Sequence, residues 1–252
     1  MTERREAIRK YIEERGEVSI SELAARFKQW SEMTLRRDLA RLEQENALIL
    51  TRGGARRMPY HYGLLEDIYS ERERRNYEAK QRIASRAAKL IEPGKGIFID
   101  AGTTAMALAR EVPDCHLAVI TSAPNIALEI MMRKEKPSVI LLGGTLSRKE
   151  LSVSDPELPE QLKKLNIETA FMVASAYDET YGFSVGNQLG ALLKRAVIQR
   201  ARKVVMMLDG SKAGGLLPFT FANSEDVDVL VTDDGFSPQL KKKLEGKIPV
   251  VI

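Results

Sequence analysis

"SEMTLRRDLARL", residues 31–42, decides the fold of the N-terminal part of the chain. Leu35, Leu39 and Leu42 recur at steps of four and three residues, which places them on one face of a helix. Ser31 offers a side-chain oxygen that can cap the first turn of that helix. The stretch therefore predicts a capped amphipathic helix whose leucines point into a core.

The opposite face of this helix carries polar side chains. A helix turns by about 100° per residue, so the residues between the leucines project away from the core. The N-terminal end of a helix is also positively polarised and attracts anions. The candidates for contact with a negatively charged partner are Ser31, Glu32, Thr34, Arg36 and Arg37.

Two further helices precede this one. The apolar residues of 2–16 recur at helical spacing until Gly16 stops the run. Residues 19–27 begin with Ser19 and, three positions later, Glu22, which is the pattern of a capping box. The chain thus predicts three consecutive helices before residue 45.

A basic hairpin follows the helices. The stretch "LILTRGGARRM", residues 48–58, alternates apolar and polar residues around Gly53 and Gly54, which accept the positive φ of a tight turn. Three helices followed by a two-stranded wing form a winged helix-turn-helix, which places its third helix in the DNA major groove. The basic residues of the wing are Arg52, Arg56 and Arg57.

Length and charge agree with this division. Of the 252 residues 44% are hydrophobic, enough for the core of one large or two unequal domains. Residues 1–57 hold 13 Lys and Arg against 10 Asp and Glu, whereas the remaining residues hold 26 against 25. Most of the small net charge of +4 therefore lies in the predicted winged segment.

Cysteine content and hydropathy bear on the compartment. The single cysteine, Cys115, excludes an internal disulfide and fits a reducing compartment, with an ordinary part-buried thiol expected. The sequence has no apolar run of about 18 residues and no secretory leader. We therefore expect no membrane span and a cytoplasmic location.

The remaining chain alternates strands and helices. Residues 58–75 are aromatic and then heavily charged, and predict a linker passing into a helix. Beyond them, apolar strands separated by amphipathic helices indicate a mostly parallel sheet covered on both faces. The predicted domains are a winged helix-turn-helix over 1–57, a linker over 58–75 and a larger Rossmann-like α/β domain over 76–252.

Ligands of such sheets bind beyond the carboxyl ends of the strands. Asp100 ends a predicted strand, and Gly102 lets the backbone approach a ligand. Thr103 and Thr104 add hydroxyls beside the free N–H groups of the next helix, which suits a phosphate, with Asp100 placed to accept a sugar hydroxyl. A plain turn with a helix cap explains the same residues equally well.

Three more polar clusters follow other predicted strands. Each alone also fits a turn, but parallel strands end at one edge, so the four clusters together favour a pocket. The additional clusters are Ser122 with Asn125, Gly143 and Gly144 with Thr145, and Asp209 with Ser211 and Lys212.

A lysine interrupts the apolar stretch "LGALLKRAVI", residues 189–198. If that helix packs on the sheet, either Lys194 or Arg195 lies on the buried side. A buried cation needs an anionic partner, such as a bound phosphate. An exposed lysine whose stem covers apolar surface is the alternative.

Other conspicuous residues are predicted to be structural. Trp30, the only tryptophan, is expected to pack the turn between the second and third helices. Met131, Met132, Met206 and Met207 are expected to fill the core rather than hold a cofactor.

In combination these motifs resemble the DeoR-type family of bacterial regulators of sugar metabolism. The resemblance covers nearly the whole chain and is carried by "GEVSISELAARF", "SEMTLRRDLARLE", "RGGA", "IFIDAGTTAMALA", "APNIA", "LLGGTLS", "LKRAVI" and "DGSK". It implies a repressor whose winged domain binds double-stranded operator DNA. It also implies a C-terminal domain, similar to ribose-phosphate isomerases and coenzyme A transferases, that binds a phosphorylated sugar or related metabolite.

The same resemblance assigns roles to residues. Thr34, Arg36 and Arg37 would contact DNA. The effector would lie among Asp100, Gly102, Thr103, Thr104, Lys194 and Lys212. A homodimer or homotetramer is expected, because symmetric operators match symmetric proteins.

The chain departs from the family pattern in three places. Arg52 replaces the usual histidine of the wing, and residues 190–193 lack the usual acids before Lys194. Residues 152–157, "SVSDPE", replace a glycine-bearing loop.

Two other functions compete with a DNA-binding regulator. An isomerase or transferase needs a general base, and Asp100, Asp178 and Asp209 are candidates for it, although the missing acids at 190–193 count against this function. A protein-binding scaffold acting through the charged linker has no positive motif. We therefore expect a regulator without catalytic residues, metal or cofactor.

Overall fold

The computed structural model describes residues 3–44, 47–57, 69–235 and 238–252. The chain forms two compact units, residues 1–61 and 62–252, each with its own hydrophobic core. Residues 58–68 of the predicted linker and the side chain of Arg57 lie outside the described part. Among the described residues, no helix is long and apolar enough to cross a bilayer.

Within 3–44 and 47–57, the N-terminal unit consists of three helices and a three-stranded sheet. The helices are α1 (Glu3–Arg15), α2 (Ile20–Arg26) and α3 (Glu32–Gln44). The strands are β1 (Glu17–Ser19), β2 (Leu48–Thr51) and β3 (Gly54–Arg57), which pair antiparallel in the order β1-β3-β2. Three helices followed by a hairpin confirm the predicted winged helix-turn-helix.

The leucine face of α3 is central to this unit's core. Leu35, Leu39 and Leu42 are each at most 2% exposed. They belong to one apolar cluster with Ile8 of α1 and Leu23 of α2. The predicted orientation of α3 is therefore confirmed, and its polar face points outward.

Two local predictions around α2 are also confirmed. In the capping box, the Glu22 N–H donates to Ser19 Oγ (3.2 Å) and the Ser19 N–H donates to the Glu22 carboxylate (2.7 Å). Trp30 stacks on Phe27 with ring centroids 5.1 Å apart, which packs the turn between α2 and α3.

The wing differs from its prediction in two respects. Thr51 pairs with Gly54, so Arg52 and Gly53 form the loop, and neither Gly53 nor Gly54 has a positive φ. Gly54 is required for another reason, because a Cβ there would lie 2.1 Å from the carbonyl oxygen of Val18 in β1. The wing is thus three-stranded, and close approach of β1, not turn geometry, requires the glycine.

The C-terminal unit is a seven-stranded parallel sheet between helices. Its described part starts with α4 (Tyr69–Arg74), which lies inside the predicted linker. The other helices are α5 (Tyr77–Ala88), α6 (Thr103–Glu111), α7 (Pro124–Arg133), α8 (Leu158–Leu162), α9 (Gln188–Arg200) and α10 (Pro238–Glu245). The strands of the sheet, in the spatial order β15-β14-β12-β9-β4-β5-β6, are β4 (Gly96–Ile99), β5 (Ala118–Thr121), β6 (Ser138–Leu141), β9 (Ile167–Val173), β12 (Ala201–Met207), β14 (Val229–Val231) and β15 (Val250–Val251).

Smaller antiparallel elements, absent from the sequence prediction, accompany this sheet. A hairpin consists of β7 (Thr145–Ser147) and β8 (Ser152–Ser154), and a second sheet consists of β10 (Ala176–Asp178), β11 (Gly182–Val185) and β13 (Phe219–Ala222). Their strands are short and lie between longer apolar runs, which obscures the alternation that identifies a strand.

The main sheet separates two apolar layers. Successive residues of a strand point to opposite faces. Ile97 and Ile99 of β4 pack with α4–α7, whereas Phe98 packs with α8–α10 and the smaller sheet. The predicted parallel α/β sheet, covered on both faces, is therefore confirmed.

The four methionines singled out in the sequence fall into two groups. Met206 and Met207 of β12 are at most 1% exposed, as predicted for core residues. Met131 and Met132 of α7 are 59% and 84% exposed, so their assignment to the core is wrong. The helix turns Ile126 and Ile130 toward the sheet instead, and the other two side chains face outward.

Gly54→Ala is expected to destabilise the N-terminal unit by about 1–3 kcal/mol, the range for overpacking, because its Cβ would strike the backbone of β1. Urea unfolding followed by the fluorescence of Trp30 reports this unit alone. Gly53→Ala is the control, since its Cβ meets nothing within 4 Å. Equal unfolding midpoints for the two variants would contradict the role given to Gly54.

Candidate DNA-binding surface and effector site

The N-terminal end of α3 is capped as predicted. The Thr34 N–H donates to Ser31 Oγ at 3.3 Å, and the two hydroxyls lie 2.9 Å apart. These contacts use one of the free N–H groups of the first turn, so Ser31 shapes the helix end as well as lying on its surface.

The two arginines of α3 differ in their partners. Arg36 donates twice to Glu32 Oε1, at 2.7 and 3.1 Å, one turn earlier on the same exposed face. Arg37 is exposed and has no ion pair within the described residues. Arg37 therefore presents a full positive charge to solvent, whereas that of Arg36 is balanced by Glu32.

An ion pair between a half-buried arginine and a buried carboxylate fixes the orientation of α3. Asp38 is 5% exposed and accepts two hydrogen bonds from Arg4 of α1, at 2.5 and 3.1 Å. The Arg4 guanidinium also lies 5.8 Å from the centroid of Trp30. Because Asp38 follows Arg37 directly, this contact anchors the backbone that presents Arg37.

The wing adds basic side chains. Arg52 lies in its two-residue loop and Arg56 in β3, both exposed and without an ion pair in the described part of the unit. Arg57 ends β3 by its backbone position. The unit thus carries exposed arginines without an ion pair among the described residues on α3 and on the wing, and also Arg15 of α1 and Arg26 of α2, which lie over aromatic rings instead.

Asp100 and Lys194 meet at the carboxyl edge of the large sheet. Asp100 is 2% exposed; its carboxylate accepts hydrogen bonds from Ala101 N (2.8 Å), Val173 N (3.0 Å) and Lys194 Nζ. Lys194 Nζ also donates to the Val173 carbonyl at 3.0 Å. The structure therefore brings two predicted site residues, 94 positions apart, into direct contact.

This pair resolves one alternative that the sequence left open. Lys194, 8% exposed, is the buried member of the Lys194–Arg195 dipeptide. Its anionic partner within the protein is Asp100. Both Asp100 oxygens already accept hydrogen bonds, so Asp100 positions its neighbours, and a sugar hydroxyl would have to share an oxygen that is already bonded.

An open helix end lies beside the pair. Gly102 precedes α6 with φ +138°, and a Cβ there would approach Val173 Cγ2 to 3.2 Å. No side chain caps α6 among the described residues. Thr103 and Thr104 begin the helix, the first half-buried and the second 7% exposed. Uncapped N–H groups and hydroxyls at a helix N-terminus suit an anion.

A second polar cluster follows β12. Asp209, 2% exposed, accepts hydrogen bonds from Ser211 N (3.2 Å), Asn76 Nδ2 (3.1 Å) and Ser211 Oγ. It precedes a 3-10 turn, Gly210–Lys212, that ends with the half-buried Lys212. Asp209 is thus held in place by Asn76, the residue before α5, and by its own turn.

Lys80 of α5, which the sequence analysis missed, lies near this cluster. It is 5% exposed, and its ammonium donates to the carbonyls of Arg72 and Arg75, the latter at 2.6 Å. No carboxylate pairs with it among the described residues. Burial, partly offset by the Asp209 carboxylate and reinforced by Lys212, lowers the pKa of Lys80 to about 8.

The helical periodicity of α5 contained the signal for Lys80. Lys80 precedes Ile83, Ala84 and Ala87 by three, four and seven positions, so it falls on their buried stripe. A lysine at a core position of an amphipathic helix identifies a buried cation as clearly as Lys194 does in its apolar stretch.

The other predicted site residues lie farther out. Asn125 is half-buried at the start of α7. Gly143 and Gly144 are exposed and lead from β6 into the β7–β8 hairpin. In the sheet order, β6 and β12 lie two strands from β4 on opposite sides, about 10 Å each. The carboxyl ends of the strands therefore bring Asp100, Gly102, Thr103, Thr104 and Lys194 together. Gly143 and Gly144 lie two strands away from them.

A winged helix-turn-helix with unpaired arginines, joined to an α/β unit with buried lysines on α5 and α9, defines a DNA-binding regulator with a ligand-sensing domain. Residues 4–59 match the profile of the DeoR-like helix-turn-helix domain, and residues 75–234 match the DeoR C terminal sensor domain. The chain belongs to the DeoR family of transcriptional regulators. It is therefore not an enzyme, which decides against the isomerase alternative.

Individual relatives agree with this assignment. The uncharacterized HTH-type transcriptional regulator YulB of Bacillus subtilis (strain 168) is 36% identical over 98% of this chain and 94% of that protein. The HTH-type transcriptional repressor GlcR of the same organism is 31% identical over 92% of this chain and 88% of that protein.

Among solved structures, ribose 5-phosphate isomerase A from Methanocaldococcus jannaschii gives a TM-score of 0.41 at 19% identity, covering 55% of each chain.

The lowered pKa of Lys80 predicts a pH dependence of stability. Between pH 8 and 10.5 the unfolded chain keeps a proton on Lys80 that the folded chain has lost. This group therefore increases the free energy of unfolding as the pH rises. The free energy of unfolding of wild type, relative to that of Lys80→Met, is expected to increase by about 3 kcal/mol between pH 7 and 10.5.

Denaturant unfolding of both proteins, followed by circular dichroism at the two pH values, measures this difference. Lys163→Met, which replaces an exposed lysine, controls for general charge effects. A constant difference between wild type and Lys80→Met across the range would show that burial does not perturb Lys80.

Proposed function

We propose that the chain represses a sugar-metabolism operon by binding its operator, and that a phosphorylated sugar or related metabolite releases it. In this proposal residues 1–57 bind DNA, residues 58–75 join the units and residues 76–252 sense the effector. The observation that carries it is the pair of features found in one chain: unpaired arginines on a winged unit and, in a sensor unit, a buried lysine that forms no ion pair with a described carboxylate.

The DNA-binding part follows from α3 and the wing. Arg37 reaches base edges or phosphates from the major-groove helix, and the wing arginines contact the flanking backbone. Arg36 is paired with Glu32, so an incoming phosphate must compete with that carboxylate for the guanidinium. The proposed contact residues are Ser31, Glu32, Thr34, Arg36, Arg37, Arg52, Arg56 and Arg57.

The effector part follows from the charge balance at the strand ends. Lys194 is already neutralised by Asp100, whereas Lys80 donates to carbonyls and forms no ion pair among the described residues, so a phosphate gains most from the charge of Lys80. The uncapped start of α6 supplies further donors. The proposed pocket comprises Lys80 with Asp100, Gly102, Thr103, Thr104, Asn125, Gly143, Gly144, Lys194, Asp209 and Lys212.

Release requires that the effector bind the DNA-competent and DNA-incompetent states unequally. We propose that the protein acts in the cytoplasm, where operator DNA is found. A homodimer or homotetramer suits this role because one winged unit covers only a half-site.

Arg37→Ala is expected to weaken operator binding by about 5- to 150-fold, since one good bidentate base contact contributes about 1–3 kcal/mol. The fold should persist because Arg37 is exposed. Fluorescence anisotropy with the DNA flanking its own gene, against scrambled DNA at matched salt, measures the change. Lys164→Ala, an equal charge change on the other unit, is the control; if its affinity falls as much, the surface on α3 is not the binding site.

Lys80→Gln and Thr103→Ala are each expected to reduce the response to phosphorylated sugars at least tenfold while leaving DNA affinity unchanged. Neither variant disturbs the Asp100–Lys194 pair. The readout is release of labelled operator by a panel of sugar phosphates, with Lys163→Gln as the control. Normal release from both variants would place the effector elsewhere, and wild-type binding that no sugar phosphate affects would refute the sensing role.

A further inference from the structure

One large apolar side chain is exposed at the N-terminal end of α3. Met33 is the second residue of this helix and is 80% exposed. In the described part of the unit, the next most exposed large apolar side chain is Leu50, at 36%. Single apolar residues are common on protein surfaces, so the position of Met33 on the helix decides whether it has a role.

Met33 points directly away from the core of the unit. Around the helix it lies about 160° from Leu35 and about 180° from Leu42, since each residue turns the helix by about 100°. Both leucines are fully buried. Arg37 follows one turn later, about 40° from Met33, so these two side chains share the outermost line of α3. A surface that Arg37 contacts is therefore within reach of Met33.

The polar side chains around Met33 already contact one another. Glu32 accepts two hydrogen bonds from Arg36, and the hydroxyl of Thr34 lies 2.9 Å from that of Ser31. Met33 ends in an uncharged thioether, which does not compete for these hydrogen bonds and is not attracted to phosphate. Its favourable partner is therefore an apolar group rather than the DNA backbone.

The base edges of the DNA major groove offer one apolar group. Guanine, adenine and cytosine present ring nitrogens, carbonyl oxygens and amino groups there, whereas thymine presents a C5-methyl group beside its O4. In helix-turn-helix proteins the N-terminal residues of the recognition helix contact base edges. Met33 occupies such a position, and its unbranched side chain adapts to an apolar partner.

We propose that Met33 contacts the C5-methyl group of a thymine in each operator half-site and makes the protein select thymine at that position. The proposal deepens the proposed function, on which it rests for the placement of α3 in the major groove. Four helical residues rise by about 6 Å, and base pairs are about 3.4 Å apart, so the thymine lies within about two base pairs of the contact made by Arg37.

Replacing thymidine by deoxyuridine tests this contact, because it removes only the methyl group and preserves base pairing. Fluorescence anisotropy with the full chain uses the DNA flanking its own gene, with the thymines of the bound site replaced one at a time. At one position per half-site, wild type is expected to bind about fourfold more weakly, and about 14-fold more weakly with both half-sites replaced. These factors convert about 0.8 kcal/mol per buried methyl group at 1.4 kcal/mol per tenfold.

Two variants at the same position identify the side chain that reads the methyl group. Met33→Ala shortens the side chain, and Met33→Gln keeps its length but makes it polar. Each is expected to bind the thymine operator at least about fourfold more weakly per half-site and to lose the preference for thymine over uracil. Met132→Ala, at an 84% exposed position of the other unit, is the control and should keep the fourfold preference.

The outcomes separate this contact from the proposed function. Wild type that binds no DNA site preferentially refutes the proposed function, and the contact with it. Specific binding that no uracil weakens, or a preference for thymine that persists in Met33→Ala, overturns the role of Met33 and leaves the proposed function standing. A preference that disappears in both Met33 variants and persists in Met132→Ala supports the contact.

Discussion

The buried contact between Asp100 and Lys194 holds together the edge of the sheet around which the C-terminal unit is arranged. Asp100 ends β4, accepts the N–H of Val173 at the end of β9, and meets a lysine from α9 on one face of the sheet. Removing one member of such a pair costs about 3–5 kcal/mol, because the other charge stays buried. The pair therefore fixes the geometry that the open end of α6 and the flanking turns share.

The two buried lysines of this unit have opposite charge balances. Lys194 is neutralised within the protein, so an anion near it must compete with Asp100. Lys80 has carbonyl oxygens as its partners, and its lowered pKa reflects a charge that burial disfavours. An anion bound near Lys80 relieves that penalty. Those carbonyls belong to α4 and the residue after it, both inside the predicted linker, so on the proposed function a ligand at Lys80 acts on the described end of that linker.

Much of the fold could be predicted because its signals are local. The leucine spacing of α3, the Ser19 capping box and the apolar strands each depend on a few neighbouring residues. The site was predicted as residue types, whereas the Asp100–Lys194 contact joins positions 94 apart and leaves no local trace. Gly54 shows a related limit: its role depends on the approach of β1, which no dipeptide rule contains. The outward face of α7 became evident only once the sheet was placed.

The arginines of α3 imply different contributions to affinity and to selectivity. Asp38, anchored by Arg4, fixes the backbone beside Arg37, so this unpaired charge is presented in a defined place. Arg36 is paired with Glu32. On the proposed function, Glu32 lies at the DNA-facing end of α3, where a carboxylate repels phosphate unless the DNA offers that carboxylate a hydrogen-bond donor. On the proposed function, Arg37 and the wing supply attraction to any DNA, whereas the Glu32–Arg36 pair penalises sequences that leave either partner unsatisfied. Selectivity then comes from side chains that add no net charge.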